Sequence, residues 1–539
     1  MKLKNSLLAV GLLLTALGCG NSNEETNQEK ILNIGDGTEL STMDSTIATD
    51  VISYRAIATT IEGLVLLDKD GNIIPGIAES YSISEDKKTY TFNLREAYWN
   101  NGTPVKAEDF VFAWRKLVDP DNGSEMAYKG SVAGIKNAED IMYGKKPLDS
   151  LGVVALDSKT LKVELDKPIP YFLQMITSPA FSPISEEFYN QQKDQYGIKP
   201  ESVLANGPFK MVEWNQGANY LMVKNDKYYD SQNVKIDKIN FQVIKDVQSG
   251  IIAYEQGDID TIILTGDLVD MYKDSKDYTN IPDSGLYYIV PNLQVKGLEN
   301  INLRKAIALA FDKKEIADNI LKNGSLPAYY VVTKGLANGP DGKDFRSTAP
   351  EYQVTNKEKA KEYFEKAKQE LKQDKFEYEF VFTDKEESKK IAEFFKSEIE
   401  TTLPGIIINL KQVPTKESYN LLDTRNFQIE LTGWKPDYPD PLVYLDMWTT
   451  GASYNYGEWS NAEYDKLIYE SSKGSYLLDL DKRWKALQKA EEILMEEAVV
   501  FPVYEKGSVG LVRDGVVGIE FHSIGTTIYK NVDINRENK

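Results

Sequence analysis

Runs in which apolar and polar residues alternate, set among longer runs of helical period, restrict this chain to mixed α/β folds. "ILNIGDGTEL" (31–40) alternates and then breaks at Gly35 and Gly37, as a strand entering a loop does. "TYTFNL" (89–94) and "TLKVEL" (160–165) repeat the alternation and predict half-buried strands. Between them "TPVKAEDFVFAWRKLV" offers Thr103 as a cap and Pro104 at the first turn, with Phe110, Val111, Trp114 and Leu117 on one face of a predicted amphipathic helix. Farther on, "NLRKAIALAFD", "KKEIADNILKNG" ending at Gly324, and the charged runs near 356–373, 385–400 and 481–497 read as helices alternating with strands such as "FEYEFVF" and "GIIINLKQV". The sequence contains no GxGxxG, GxxxxGK[ST] or GxSxG, so neither a phosphate loop nor a nucleophile elbow is expected.

With 539 residues, 41% hydrophobic and 27% charged, the chain has material for several domains or a two-lobed body. Lys2 and Lys4 followed by the apolar run 7–18 predict a signal peptide over residues 1–18, too short to span a bilayer. Cys19, the single cysteine, stands between that run and the polar stretch "GNSNEETNQEK", a flexible tether through residue 30. This placement resembles the lipobox of bacterial lipoproteins and implies lipidation of Cys19 and attachment to the cell membrane on its extracytoplasmic face.

The formal net charge of -20 and pI near 4.8 argue against nucleic acid or anionic lipid as a ligand. A single histidine, His522, and a single cysteine leave little for a soft metal site or a histidine-based triad, so no metal and no cofactor are expected. Two carboxylate pairs read as structural: Asp258 with Asp260 as a turn into a strand, and Glu491 with Glu492 as a helix surface. The excess of 32 tyrosines over 19 phenylalanines suits an amphipathic ligand-lining surface.

"GWKPDYPDP" (433–441) is the most unusual stretch. Each residue before a proline is pushed toward extended backbone, which predicts a stiff rod. Asp440 fits the N-cap of the helix that follows, with Pro441 at its first position. Asp437 has no such role: a carboxylate beside Trp434 could meet a ligand cation, and an Asx turn would explain it as well.

This stretch resembles a signature of the substrate-binding receptors of ATP-driven peptide importers, the family of oligopeptide, dipeptide and nickel receptors. Residues 76–120, "NGPFKM", "YEQGDIDT", "NLRKAIALAFDKKEI" and "VFPVYEKGSVGLV" follow in the same family's order, and 138–176 has the spacing of its oligopeptide receptors. The resemblance implies an α/β, periplasmic-binding-protein-like, two-lobed clamp of three domains with a hinge between lobes. One lobe would comprise 31–50, 179–283 and 504–539, with 51–178 as its extra domain, and 284–503 would form the second. It implies a monomer that is no enzyme, grips an extended oligopeptide by its main chain and delivers it to the permease subunits of an ABC importer.

By position, Asp437 matches the family's acid for the peptide α-amino group. Gly433 and Trp434 match the strand alongside the peptide, and Thr38, Glu39 and Leu40 the strand on its other side. Tyr128 and Tyr504 match aromatics near the first side-chain pocket, with core or rim tyrosines as the plainer alternative. Arg425 matches a cation for the peptide carboxylate, but Leu431 and Ala308 stand where other relatives carry basic residues, which implies a C-terminus left free. A pheromone or cell-wall peptide signalling receptor, a nickel or haem-type receptor, and a secreted hydrolase are the rival readings.

Overall fold

The computed structural model describes residues 29–436 and 438–535. Cys19 and Asp437 lie outside them.

An 11-stranded mixed sheet forms the spine. Its order is 406–413, 376–383, 429–434, 278–291, 501–512, 261–264, 31–36, 238–243, 219–224 and 209–215, with 326–327 added beside 501–512. Two long antiparallel strands, Tyr278–Pro291 and Phe501–Val512, lie at its centre and carry the chain between two halves. Their register runs regularly from Tyr278↔Leu511 to Pro282↔Gly507, shifts, and resumes at Leu286↔Glu505. The interruption falls on Asp283, Ser284 and Gly285, residues of low strand propensity, and such a bulge bends a ladder locally. Gly507 is required beside it, because a Cβ there would run into the Gly324 carbonyl.

The cores follow this division. Alternate residues of the half-sheet 286–290 point to opposite faces: Leu286, Tyr288 and Val290 join a cluster with Trp448, Tyr464 and Leu487, while Ile289 joins one with Phe311, Phe380 and Phe395. Around the other half, Leu32, Ile34, Phe209 and Phe241 form one cluster and Ile259, Leu264 and Val509 another. A separate four-stranded sheet, in the order 78–83, 89–94, 160–164, 153–157, packs with the helix Ala107–Val118 around Phe92, Phe110 and Trp114.

Several elements differ from the sequence expectation. The helix begins at Ala107, not after Thr103, because Tyr98 pairs with Pro104 and Trp99 N–H donates to Thr103 O at 2.8 Å, closing a tight turn first. Asp109 supplies the cap by accepting from Lys106 N–H at 3.0 Å. The run after Asp312 makes one α turn and continues as a π-helix over Ile316–Leu321, stopping at Lys322 in left-handed backbone before Gly324 is reached. Glu491 is no surface residue: it is 0% exposed, pairs with Arg346 and accepts the N–H groups of Val331 and Val332 at 3.2 and 2.9 Å.

Candidate functional site

The strand Ile429–Trp434 is paired along one edge only for most of its length. On that edge it runs antiparallel to the hinge strand, from Ile429↔Pro291 to Trp434↔Leu286. On the other it meets Phe376–Thr383 at Ile429 and Glu430 alone, so that among the described residues Leu431–Trp434 have no ladder partner there. An open edge of this kind can accept an extended chain through its backbone groups.

The faces of this strand are set by its neighbours. Leu431 is 3% exposed and points into the core. Gly433 lies against the Tyr287 ring, two atoms of which would sit 3.0 Å from an added Cβ. Tyr287 in turn stacks on Tyr504, with ring centres 4.6 Å apart and planes at 6°. Trp434 leans on Tyr454 at 4.8 Å, and its indole N–H, shielded from solvent, has no hydrogen-bond partner among the described residues. Lys435 approaches Asp283 of the hinge step at 3.8 Å.

From Tyr438 onward the chain is not the expected rod. Tyr438 O accepts from Asp440 N–H at 3.0 Å, a tight turn fixed by two side chains. Tyr438 stacks on Tyr171 at 4.6 Å and 22°. Asp440 accepts Leu442 N–H at 3.0 Å, as a cap does, and binds buried Arg483 through two bonds of 2.8 Å. Trp434 and Lys435 on one side of position 437, and Tyr438 and Asp440 on the other, are thus each held by packing or ion pairs.

From the other half, the strand Ile31–Asp36 runs parallel to Thr261–Leu264, which is antiparallel to Phe501–Val512. Its carboxyl end thus points toward residue 507, while Trp434 ends level with Leu286 and Glu505. Both chain ends converge on the hinge step, the kind of place where α/β sheets bind ligands. Thr38 and Glu39 are exposed there in irregular backbone and Leu40 is buried, so "GTEL" is a loop in place of the expected strand. The ladder stops at Asp36↔Val243, and Leu40 then anchors in the core near Met43.

Tyr128 opens a short helix, half-buried, near enough to Tyr54 that it adds to burial in raising that hydroxyl's pKa. Tyr504 is 4% exposed, a core residue with a ring face on Tyr287. Arg425, in left-handed backbone, donates to Leu422 O at 2.7 Å, Asp423 O at 3.3 Å and Ser453 O at 2.7 Å, and lies over the Tyr456 ring. Its guanidinium is engaged by carbonyls. Ala308 is buried in the helix Ile301–Ala310.

Sequence reasoning missed Tyr287, Asp283 and Glu505. Glu505 lies on the hinge strand, 3% exposed, and lines a cavity of 960 Å³ bounded by residues from both halves. Burial pushes its carboxyl up to about 7, opposed by the Tyr330 hydroxyl and Lys334 N–H. Only the tyrosine pair "LYY" within an alternating run hinted at Tyr287. Among the described residues, no group of three or more His, Cys, Asp or Glu side chains could hold a metal ion, and no helix is long and apolar enough to cross a membrane.

Two bodies joined by paired hinge strands, with an open strand edge ending at the hinge, define a clamp for a small extended ligand. Residues 72–456 match the family described as "Bacterial extracellular solute-binding proteins, family 5 Middle", and the chain belongs to that family. It is 33% identical to the dipeptide-binding protein DppE of Bacillus subtilis, over 98% of each chain. It is 33% identical to Listeria monocytogenes OppA bound to peptide, covering 95% of this chain and 100% of that one, with a TM-score of 0.69. The unliganded open form of the murein tripeptide-binding protein MppA is 26% identical over 95% and 98% of the two chains, yet gives a TM-score of 0.83. These overlays give the chain the fold of a two-lobed binding protein.

Proposed function

We propose that the chain is an extracytoplasmic receptor that captures oligopeptides between its lobes, by their main chain and α-amino group, and delivers them to an ABC-type importer. The open edge at Leu431–Trp434, reaching the hinge beside position 437, carries this reading. Main-chain bonding on that edge is indifferent to side-chain identity, which suits a receptor for varied sequences. Asp437 pairs with the α-amine; Gly433 and Trp434 flank the peptide on one side, Thr38 and Glu39 on the other. Closure follows from contacts that the peptide makes with both lobes at once, favouring the closed state by its differential affinity. The lobe boundaries fall at 283/284 and 503/504, next to the register shift of the hinge strands. The family is one of binding proteins, and no catalytic step is proposed.

Calorimetry with a tripeptide and its N-acetyl form tests the amine pairing. Loss of the charge-assisted bond weakens binding about tenfold or more, and Asp437→Ala removes the difference between the two ligands. Equal binding of both by the unaltered protein would refute it. The anchor is a diacylglyceryl group on Cys19, which the mass of the mature N-terminal peptide reports directly.

A further inference from the structure

A cavity of 560 Å³ opens in the seam between the core of residues 64–204 and the core of residues 286–500. None of Gly433, Trp434, Tyr287 or Tyr504 lines it. Ile169 and Tyr171 form one wall; Leu442, Ile468 and Tyr469 face them from the other body. The seam is fastened beside it by the Tyr171–Tyr438 stack and by Lys167 Nζ, which donates to Ser472 O at 3.2 Å. Arg483 also lines it, its charge already matched by Asp440 through two bonds of 2.8 Å. Asp465 accepts from Thr450 N–H at 2.9 Å and from its hydroxyl at 2.6 Å.

Two opposite charges in this cavity remain unmatched. Among the described residues, neither Asp446 nor Lys473 makes an ion pair or a hydrogen bond to another side chain, and the Asp446 carboxyl accepts only from its own backbone N–H. Solvent reaches Asp446, yet protein surrounds most of it, as for a group lining a water-filled chamber. Burial, and then the nearby Asp440, push the Asp446 carboxyl up to about 7, while Lys473 pulls it down from a distance. A raised, unpaired acid gains most from a cation brought to it, and a separated anion and cation between apolar and aromatic walls suit a ligand that carries both charges.

We propose that this cavity is a second binding site, for a small zwitterion with an apolar side chain, such as a free amino acid, whose ammonium group pairs with Asp446 and whose carboxylate pairs with Lys473. Both bodies line the cavity, so an occupant strengthens the seam and favours whichever lobe arrangement keeps it closed. Tyr438, next to Asp437, also lines the cavity, so the two sites adjoin; the zwitterion pairs with Asp446 and Lys473 and uses none of the open strand edge at Leu431–Trp434.

Calorimetry of the mature chain with L-phenylalanine, N-acetyl-L-phenylalanine and L-phenylalaninamide tests the assignment. L-phenylalanine binds; removing either of its charges weakens binding about tenfold or more, and Asp446→Asn and Lys473→Met each do the same. A saturating tripeptide leaves the phenylalanine titration in place. Absence of binding at millimolar L-phenylalanine, affinity unchanged in both variants, or displacement by the tripeptide would overturn the proposal. A silent tripeptide titration alongside normal phenylalanine binding would instead count against the peptide reading alone.

Discussion

Gly433 illustrates how one residue couples the strand edge to the aromatic layer beneath it. A methyl group there meets the Tyr287 ring at 3.0 Å, and Tyr287 cannot retreat without disturbing its stack on Tyr504. Gly433→Ala is therefore expected to weaken peptide binding about tenfold in calorimetry while the protein stays folded, since small overpacking at a partly exposed site is absorbed locally. Two buried charges set opposite pH slopes. Burial lifts the Glu430 carboxyl from 4.5 to about 8, against the Ser418 hydrogen bond and Lys411. The native state then holds a proton that the unfolded chain releases, so this contribution is full below 4.5 and is lost as pH rises to about 8. Lys313 is lowered by burial from 10.5 to about 7, so its contribution is full above 10.5 and is lost as pH falls to about 7. Denaturant titrations across pH should show Glu430→Gln flattening the first window and Lys313→Met the second. None of this was legible in sequence, where Glu430 and Lys313 look like ordinary charged residues and only the fold buries them.

At the scale of elements, alternation was enough for Thr89–Leu94 and Thr160–Glu164, where one face is buried and the other wet. It failed for Tyr278–Pro291, whose middle residues Pro282 to Gly285 look like a loop and prove to be the bulge of a continuous strand. "GWKPDYPDP" was half legible. Its prolines predicted stiffness and a helix start, but the turn at Tyr438 depends on Tyr171 and Arg483, which are distant in sequence. Removing the Asp440 charge leaves Arg483 buried and unpaired, and Asp440→Asn should cost about 3–5 kcal/mol in chemical denaturation. Gly507→Ala, forced against the Gly324 carbonyl at the hinge step, should cost about 1–3 kcal/mol in the same measurement. Asp440→Asn tests the anchoring of the segment proposed to bind the amine, and Gly507→Ala the tightness of the pivot.

For the whole molecule, one sheet crosses between the two bodies, and the ladder that joins them is interrupted where bending is needed. The same place gathers the ends of the strands Ile31–Asp36 and Ile429–Trp434, so movement at the hinge and the distance across the ligand cleft are one coordinate. Strand and helix patterns in the sequence were sufficient for an α/β class. The division into two bodies was not visible in composition, because the segments of each body are far apart along the chain and no linker marks the crossings. Small-angle X-ray scattering during titration with a free-amine tripeptide tests the clamp most directly. The radius of gyration is predicted to fall saturably, with the same midpoint as calorimetric binding; an unchanged radius at saturation would contradict capture by closure.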